Sequence, residues 1–247
     1  MQGVRLHKVI AQAGVASLRR AEALIAQGRV AVNGKRVTAM GTSVDPAADR
    51  IVVDGRRLPL RPARRYVLLY KPRGYVTTCD DEQGRPTVFD LLQHAPGRLF
   101  PVGRLDVNSE GVLLLTNDGQ LANRLLHPRY HIPRTYLVKI QGVITAQEVE
   151  LLRRGVMLED GKTLPARVQV VRQTDKGSWL RLTLYEGRHR QIHRMLQHCG
   201  GYTVKRLQRI AMGPLTLLGV APGHWRALEP FEVARLKRVC RLDKVAS

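Results

Sequence analysis

The scarcest residue types narrow the chemistry first. The 3 cysteines, Cys79, Cys199 and Cys240, are odd in number, far apart and without a Cys-x-x-Cys spacing. That pattern indicates neither a disulfide framework nor a zinc site, and it fits a reducing, cytoplasmic compartment. No apolar run approaches the roughly 18 residues of a spanning helix, and the N-terminus lacks a signal-peptide apolar core, so no membrane partner is expected. Gly-rich nucleotide-binding loops are missing, which leaves cofactor chemistry without an anchor. His189 and His193 have i, i+4 spacing, yet the third ligand and the intervening Glu of a zinc hydrolase are absent. The expectation is a protein that works with no cofactor and no metal.

Acidic residues are scarce as well. The chain has 20 Asp plus Glu against 41 Lys plus Arg, a formal net charge of +21 and a pI of about 11.0. An excess of that size predicts a polyanionic partner, and with no membrane segment in view the partner is nucleic acid. What is present supports packing: 247 residues at 44% hydrophobic content suffice for one sizeable domain and a small one.

Residues 1–60 read as the small one. Leu6, Val9 and Ile10, then Ala21, Leu24 and Ile25, follow helical spacing, and Gly14 and Gly28 fall where helices stop. Arg29–Val37 alternates like a hairpin turning on Asn33-Gly34, and Arg50–Val53 with Asp54-Gly55 repeats the pattern. Residues 1–61 carry 11 Lys plus Arg against 4 Asp plus Glu, which favours a phosphate-facing patch. Arg5, Lys8, Arg19, Arg20, Arg29 and Lys35 are the candidate cations. Pro59, Pro62 and the charged run Arg61–Arg65 then mark a linker over 61–65.

A second domain is expected over 66–240, followed by a tail at 241–247. Val67–Tyr70 has a buried-strand pattern and runs into the turn Lys71-Pro72-Arg73-Gly74. Val112–Leu115, bounded by Gly111 and by Asn117-Asp118-Gly119, reads as a core strand. Ahead of it lies a polar loop in which Arg104 and Asp106 sit beside Asn108, Ser109 and Glu110. Polar groups packed at a strand end are a common way to build a site, although spacing alone favours a solvated turn. Helical stretches at Gln120–Leu126 and Ala146–Arg154 are joined by strands at Arg134–Ile140, Arg167–Arg172 and Trp179–Leu184, a mixed pattern rather than alternating βαβ units. The fold class is therefore α+β: a small basic αβ module suited to nucleic acid, then a mixed, mainly antiparallel sheet with flanking helices. Glu186–Leu196 follows a strand and opens a helix, where cations and free backbone amides can meet an anion.

Gly103-Arg104-Leu105-Asp106, Ser109-Glu110-Gly111 and Leu113–Gly119 resemble the signature of the RsuA/RluB family of ribosomal RNA pseudouridine synthases, with the large-subunit branch nearest in appearance. Lys71–Gly74, Gln83–Leu92, Arg134–Tyr136, Glu186–Ile192 and Arg206–Leu215 extend the likeness over nearly the whole chain. Leu6–Ala16, Ser17–Gly28 and Gly28–Gly34 resemble the RNA-binding module named after small-subunit ribosomal protein S-four. There the residue after the motif Ser is usually Arg; here it is Leu18, which shifts one phosphate contact to Arg19 or Arg20.

The resemblance implies the pseudouridine synthase fold, Asp106 as the catalytic carboxylate and Tyr136 as a ring over the target base. It places Arg104, Lys71, Arg190 and His193 in support, with Arg188 and Arg194 toward RNA. At His193 the family generally has Arg or Lys holding the carboxylate, so the imidazole is expected to pair with Asp106 and to have a raised pKa, with Arg190 or Arg194 as substitutes. The implied activity is isomerisation of one uridine in ribosomal RNA to pseudouridine after base flipping. The expected substrate is a folded stem-loop or a pre-ribosomal particle, and a monomer is the expected state. The alternative is a non-catalytic ribosome-assembly or RNA-binding factor on the same scaffold. A glycosidase built on Asp106 and Glu110 is opposed by the charge and by the low aromatic content.

Overall fold

A computed structural model describes residues 3–59, 63–79, 81–95 and 97–242. Part of the expected linker and most of the expected tail lie outside the described residues. The chain divides into two compact units, one of Met1–Arg65 with Pro96–Leu99 and Asn117–Gly119, and one of the remainder from Tyr66 onward.

The first unit runs β1 (Val4–Arg5), α1 (Leu6–Gln12), α2 (Leu18–Ala26), β2 (Val30–Val32), β3 (Lys35–Val37), β4 (Ser43–Val44), β5 (Ile51–Val53) and β6 (Arg56–Arg57). Ser17 caps α2, its hydroxyl accepting the N–H of Arg20. The helices bury Leu6, Ile10, Ala21 and Leu24 against Val30, Ile51 and Val53. Each large aliphatic side chain so buried contributes about 1.5–3 kcal/mol. Asn33 and Asp54 adopt φ of 51° and 50° ahead of Gly34 and Gly55, the backbone that tight hairpins between β2 and β3 and between β5 and β6 require. Lys8, Arg19, Arg20 and Lys35 are exposed. Arg5 donates to the Gly41 carbonyl, and Arg29 forks onto Asp54 at 2.6 and 2.7 Å.

The second unit contains β7 (Tyr66–Lys71), β8 (Phe100–Pro101), β9 (Glu110–Thr116), α3 (Gly119–Leu126), β10 (Arg134–Gln141), α4 (Ala146–Arg154), β11 (Met157–Leu158), β12 (Gly161–Lys162), β13 (Arg167–Thr174), β14 (Gly177–Leu184), α5 (Gln191–Gly200), β15 (Val204–Met212), β16 (Leu215–Thr216), β17 (Trp225–Ala227) and α6 (Pro230–Val239). The main sheet has the order β13-β14-β10-β15-β9-β7-β17, antiparallel except where β15 runs parallel to β9. It is a mixed α+β domain with a mainly antiparallel sheet. One core gathers α4 and α5 residues with β10, β13 and β14; the other gathers α3 and α6 residues with β7 and β9. Among the described residues no helix is long and apolar enough to cross a membrane.

Two departures from the sequence reading bear on the site. β15 carries Lys205, Arg206, Gln208 and Arg209, which interrupt its apolar alternation. β9 also begins earlier than the apolar run suggests, so Glu110 belongs to the strand and is buried there against Arg206.

Candidate active site

Four adjacent strands place one residue each in a row across the sheet. Lys71 on β7 lies opposite Gly111 on β9, Gly111 opposite Arg209 on β15, and Arg209 opposite Tyr136 on β10. Gly111 is obligatory in that row. It has φ 116°, and a Cβ added there would stand 2.1 Å from the Arg209 carbonyl oxygen. Only a residue without a side chain lets β9 and β15 pair so closely.

The loop from Arg104 to Ser109 lies over the Lys71 end of the row and is pinned from below. The Lys71 side chain is 0% exposed, and its ammonium donates to the carbonyls of Ser109 at 2.7 Å, Asp106 at 3.0 Å, Pro72 at 3.1 Å and Val107 at 3.4 Å. Burial lowers its pKa to about 8, partly opposed by the charge of Asp106. Thr77 brackets Leu105, its hydroxyl donating to the carbonyl at 2.8 Å and accepting the N–H at 3.3 Å. Gly74 N–H donates to the Val107 carbonyl at 2.8 Å. The backbone is thereby immobilised while the Asp106 side chain stays exposed.

Asp106 opens into a cleft of about 300 Å³ that it lines with Arg104, Tyr136, Arg190 and His193, against an apolar wall that includes Leu184 and Leu207. So Asp106, Arg104, Tyr136, Arg190 and His193 line one cleft. Lys71 is beneath the loop rather than in the cleft. Arg194 lines a neighbouring groove and not this cleft.

The cations of the α5 approach separate into engaged and free. Arg188 lines the cleft but donates to Glu186 at 3.1 Å and to the carbonyls of Asp160, Gly161 and Lys162 at 3.1, 2.8 and 2.6 Å. Arg194 forks onto Asp160 at 2.9 and 3.0 Å. These two arginines strap the β11–β12 hairpin to the start of α5. Buried Gln191 ties in Glu186 by donating to it at 2.8 Å. Arg190, in contrast, stands exposed at the N-cap in the left-handed region, φ 46°, an uncommon conformation for a side-chain-bearing residue.

His193 departs from expectation. Its pKa is lowered from the ordinary 6.5, first by burial and then by the Arg190 charge, with Asp106 pulling the other way. Its Nδ1 is buried without a hydrogen-bond partner. Desolvation plus a like charge outweigh the carboxylate, so the imidazole is neutral at pH 7 instead of being a held cation.

An RNA pseudouridylate synthase family model matches residues 65–198, more than half of the chain, and an S4 domain model matches residues 4–51. The chain belongs to the RNA pseudouridylate synthase family. It is 45% identical over 244 residues to ribosomal large subunit pseudouridine synthase B of Bacillus subtilis, covering 98% of this chain and 99% of that protein. An uncharacterized RNA pseudouridine synthase of Aquifex aeolicus is 44% identical, with 99% and 98% covered. The crystal structure of a pseudouridylate synthase superposes with a TM-score of 0.68 at 30% identity, covering 94% of this chain and 99% of that one. The chain is thus an RNA pseudouridine synthase with an S4 domain.

In this pseudouridine synthase, sequence reasoning missed Thr77 and Asp160, and it held Gln191 and Arg209 only inside longer stretches without singling them out. Asp160 and Thr77 carry no local signal, because each acts on a segment distant in the chain. Buried, charged Arg209 in β15 was legible only as part of a longer family-like stretch. Among the described residues, no cluster of three or more His, Cys, Asp or Glu side chains could hold a metal ion.

Proposed function

We propose that this pseudouridine synthase isomerises one uridine of ribosomal RNA, in the large subunit, with Asp106 as its catalytic carboxylate, and that it acts as a cytoplasmic monomer. The observation that carries the reading is the exposed Asp106 carboxylate on an immobilised loop, in one cleft with the Tyr136 ring. The large-subunit assignment draws on the Bacillus subtilis relative and its nearly full-length match.

The reaction conserves every atom. The C1′–N1 bond breaks, the uracil turns, a C1′–C5 bond forms, the C5 proton leaves and N1 gains a proton. No redox step or activated donor is needed, so one well-placed carboxylate can serve as nucleophile or base. The target must first leave its stack, and a flipped base needs a π-face partner and a cation near its backbone. Tyr136 supplies the face. Arg104 fills the vacated space or grips phosphate, and the exposed Arg190 offers the positive charge at the cleft edge. Leu184 and Leu207 exclude water from one wall while the glycosidic bond is open. The S4 domain, with Lys8, Arg19, Arg20 and Lys35 exposed, adds sequence-independent affinity for folded RNA.

The test is pseudouridine mapping of ribosomal RNA from a deletion strain complemented with wild type or Asp106→Asn. One large-subunit pseudouridine is expected to vanish in the deletion, to return with wild type, and to stay absent with the mutant, which still binds RNA. Substantial turnover by purified Asp106→Asn would overturn the assignment of the carboxylate.

A further inference from the structure

Beside the catalytic cleft lies a larger groove of about 970 Å³, and the two share His189, Arg190, His193 and Leu207 in their walls. Its floor and sides come from α5, the start of β15, the β11–β12 hairpin and the Lys71–Gly74 turn. Five Arg or Lys side chains line it, against Glu159 as the one acid of the lining. Two of the five are engaged: Arg194 on Asp160 and Arg206 on Glu110. Arg73, Arg190 and Lys205 are exposed and make no side-chain hydrogen bond or ion pair among the described residues. Met157, 60% exposed, presents an apolar lip on the strapped hairpin.

A partner for this groove must bring negative charge at about three points and must be continuous with whatever fills the cleft. Single-stranded RNA meets both conditions, because its phosphates repeat along the chain and its bases tolerate a soft apolar contact. The geometry points to this groove as the path of the unpaired RNA segment adjoining the target uridine, with Arg73, Arg190 and Lys205 as its phosphate contacts. The assignment rests on the ribosomal RNA reading of the cleft and goes beyond it by naming where the flanking strand runs. It also sorts the cations: Arg188 and Arg194 build the wall, and the free three grip the ligand.

The experiment uses full-length protein and ribosomal RNA from the deletion strain as the probe. Binding is measured between 50 and 200 mM KCl for wild type, Arg73→Ala, Lys205→Ala, the double mutant and a control, Arg235→Ala, at an exposed position of α6 that lines neither the groove nor the cleft. For a single-stranded contact the log-log salt slope falls by about 0.7 per cation removed, which spares about 2.6-fold of the affinity lost over that range. The two single mutants are expected to lose one such step each, and the double two. A photoreactive residue at Met157 is expected to crosslink to a nucleotide within a few positions of the modified uridine. If wild type forms the pseudouridine but the Arg73 and Lys205 variants keep its salt slope, as the control does, the groove assignment is wrong. If crosslinks from position 157 fall far from the target, it is wrong as well. Absence of pseudouridine with wild type would instead remove the reading of the cleft on which it stands.

Discussion

Replacing Lys71 with Met tests whether the Asp106 loop is held by a buried charge. The substitution keeps the length of the side chain and removes the donor. Three carbonyls within 3.1 Å, those of Ser109, Asp106 and Pro72, lose their contact with the ammonium. A hydrogen bond from a charged donor contributes about 1.5–3 kcal/mol, so the gross loss from three is near 6 kcal/mol. Against it stands the cost of burying the ammonium. A fall in pKa from 10.5 to about 8 corresponds to about 3 kcal/mol at neutral pH, which Met does not incur. The net destabilisation is therefore about 3 kcal/mol, smaller than the hydrogen bonds alone suggest.

The loop suffers more than the fold. A displacement of about 1 Å at a reacting group costs on the order of 100-fold in rate. Single-turnover pseudouridine formation by folded Lys71→Met is expected to fall at least that far. The pH dependence supplies an independent check. Because the folded pKa is lower than the unfolded one, the unfolded chain holds the extra proton between about pH 8 and 10.5, and wild-type stability rises with pH across that window. Denaturant unfolding of both proteins at pH 7 and pH 10 should show wild type gaining on the mutant by up to about 3 kcal/mol. Wild-type turnover by Lys71→Met, or a stability difference that does not move with pH, would refute the reasoning.

His193 should titrate with a midpoint below 6.5 in NMR spectra of the full chain, since burial and Arg190 outweigh Asp106. The sign follows: as pH drops below 6.5 the unfolded chain takes the proton first, so stability falls in acid, and His193→Gln should flatten that fall. A midpoint above 6.5 would mean that the carboxylate dominates after all. Gly111→Ala, which places a methyl against the Arg209 carbonyl at φ 116°, should cost at least about 4 kcal/mol in denaturant unfolding. A loss under about 1 kcal/mol would show that β9 and β15 can separate cheaply.

Features that depend on near neighbours were legible in the linear chain. Asn33-Gly34 and Asp54-Gly55 are hairpin turns because positive φ is needed at both positions. α4 spans Ala146–Arg154 as its apolar spacing demands, and Thr145 with Glu148 closes a capping box at its start. The family-like loop signature pointed at Asp106 from local pattern. Charge state and partner choice are another matter, since both depend on burial and on residues far along the chain. Lys71 meets the Asp106 loop 35 residues later, Arg194 meets Asp160 at a separation of 34, and Arg206 meets Glu110 at a separation of 96. Long-range packing alone settles that Lys71 lies under the site, that Arg188 and Arg194 are engaged while Arg190 is free, and that His193 is neutral. Desolvation and Coulomb energy are set by what surrounds a group in space, and a linear pattern records only what precedes and follows it.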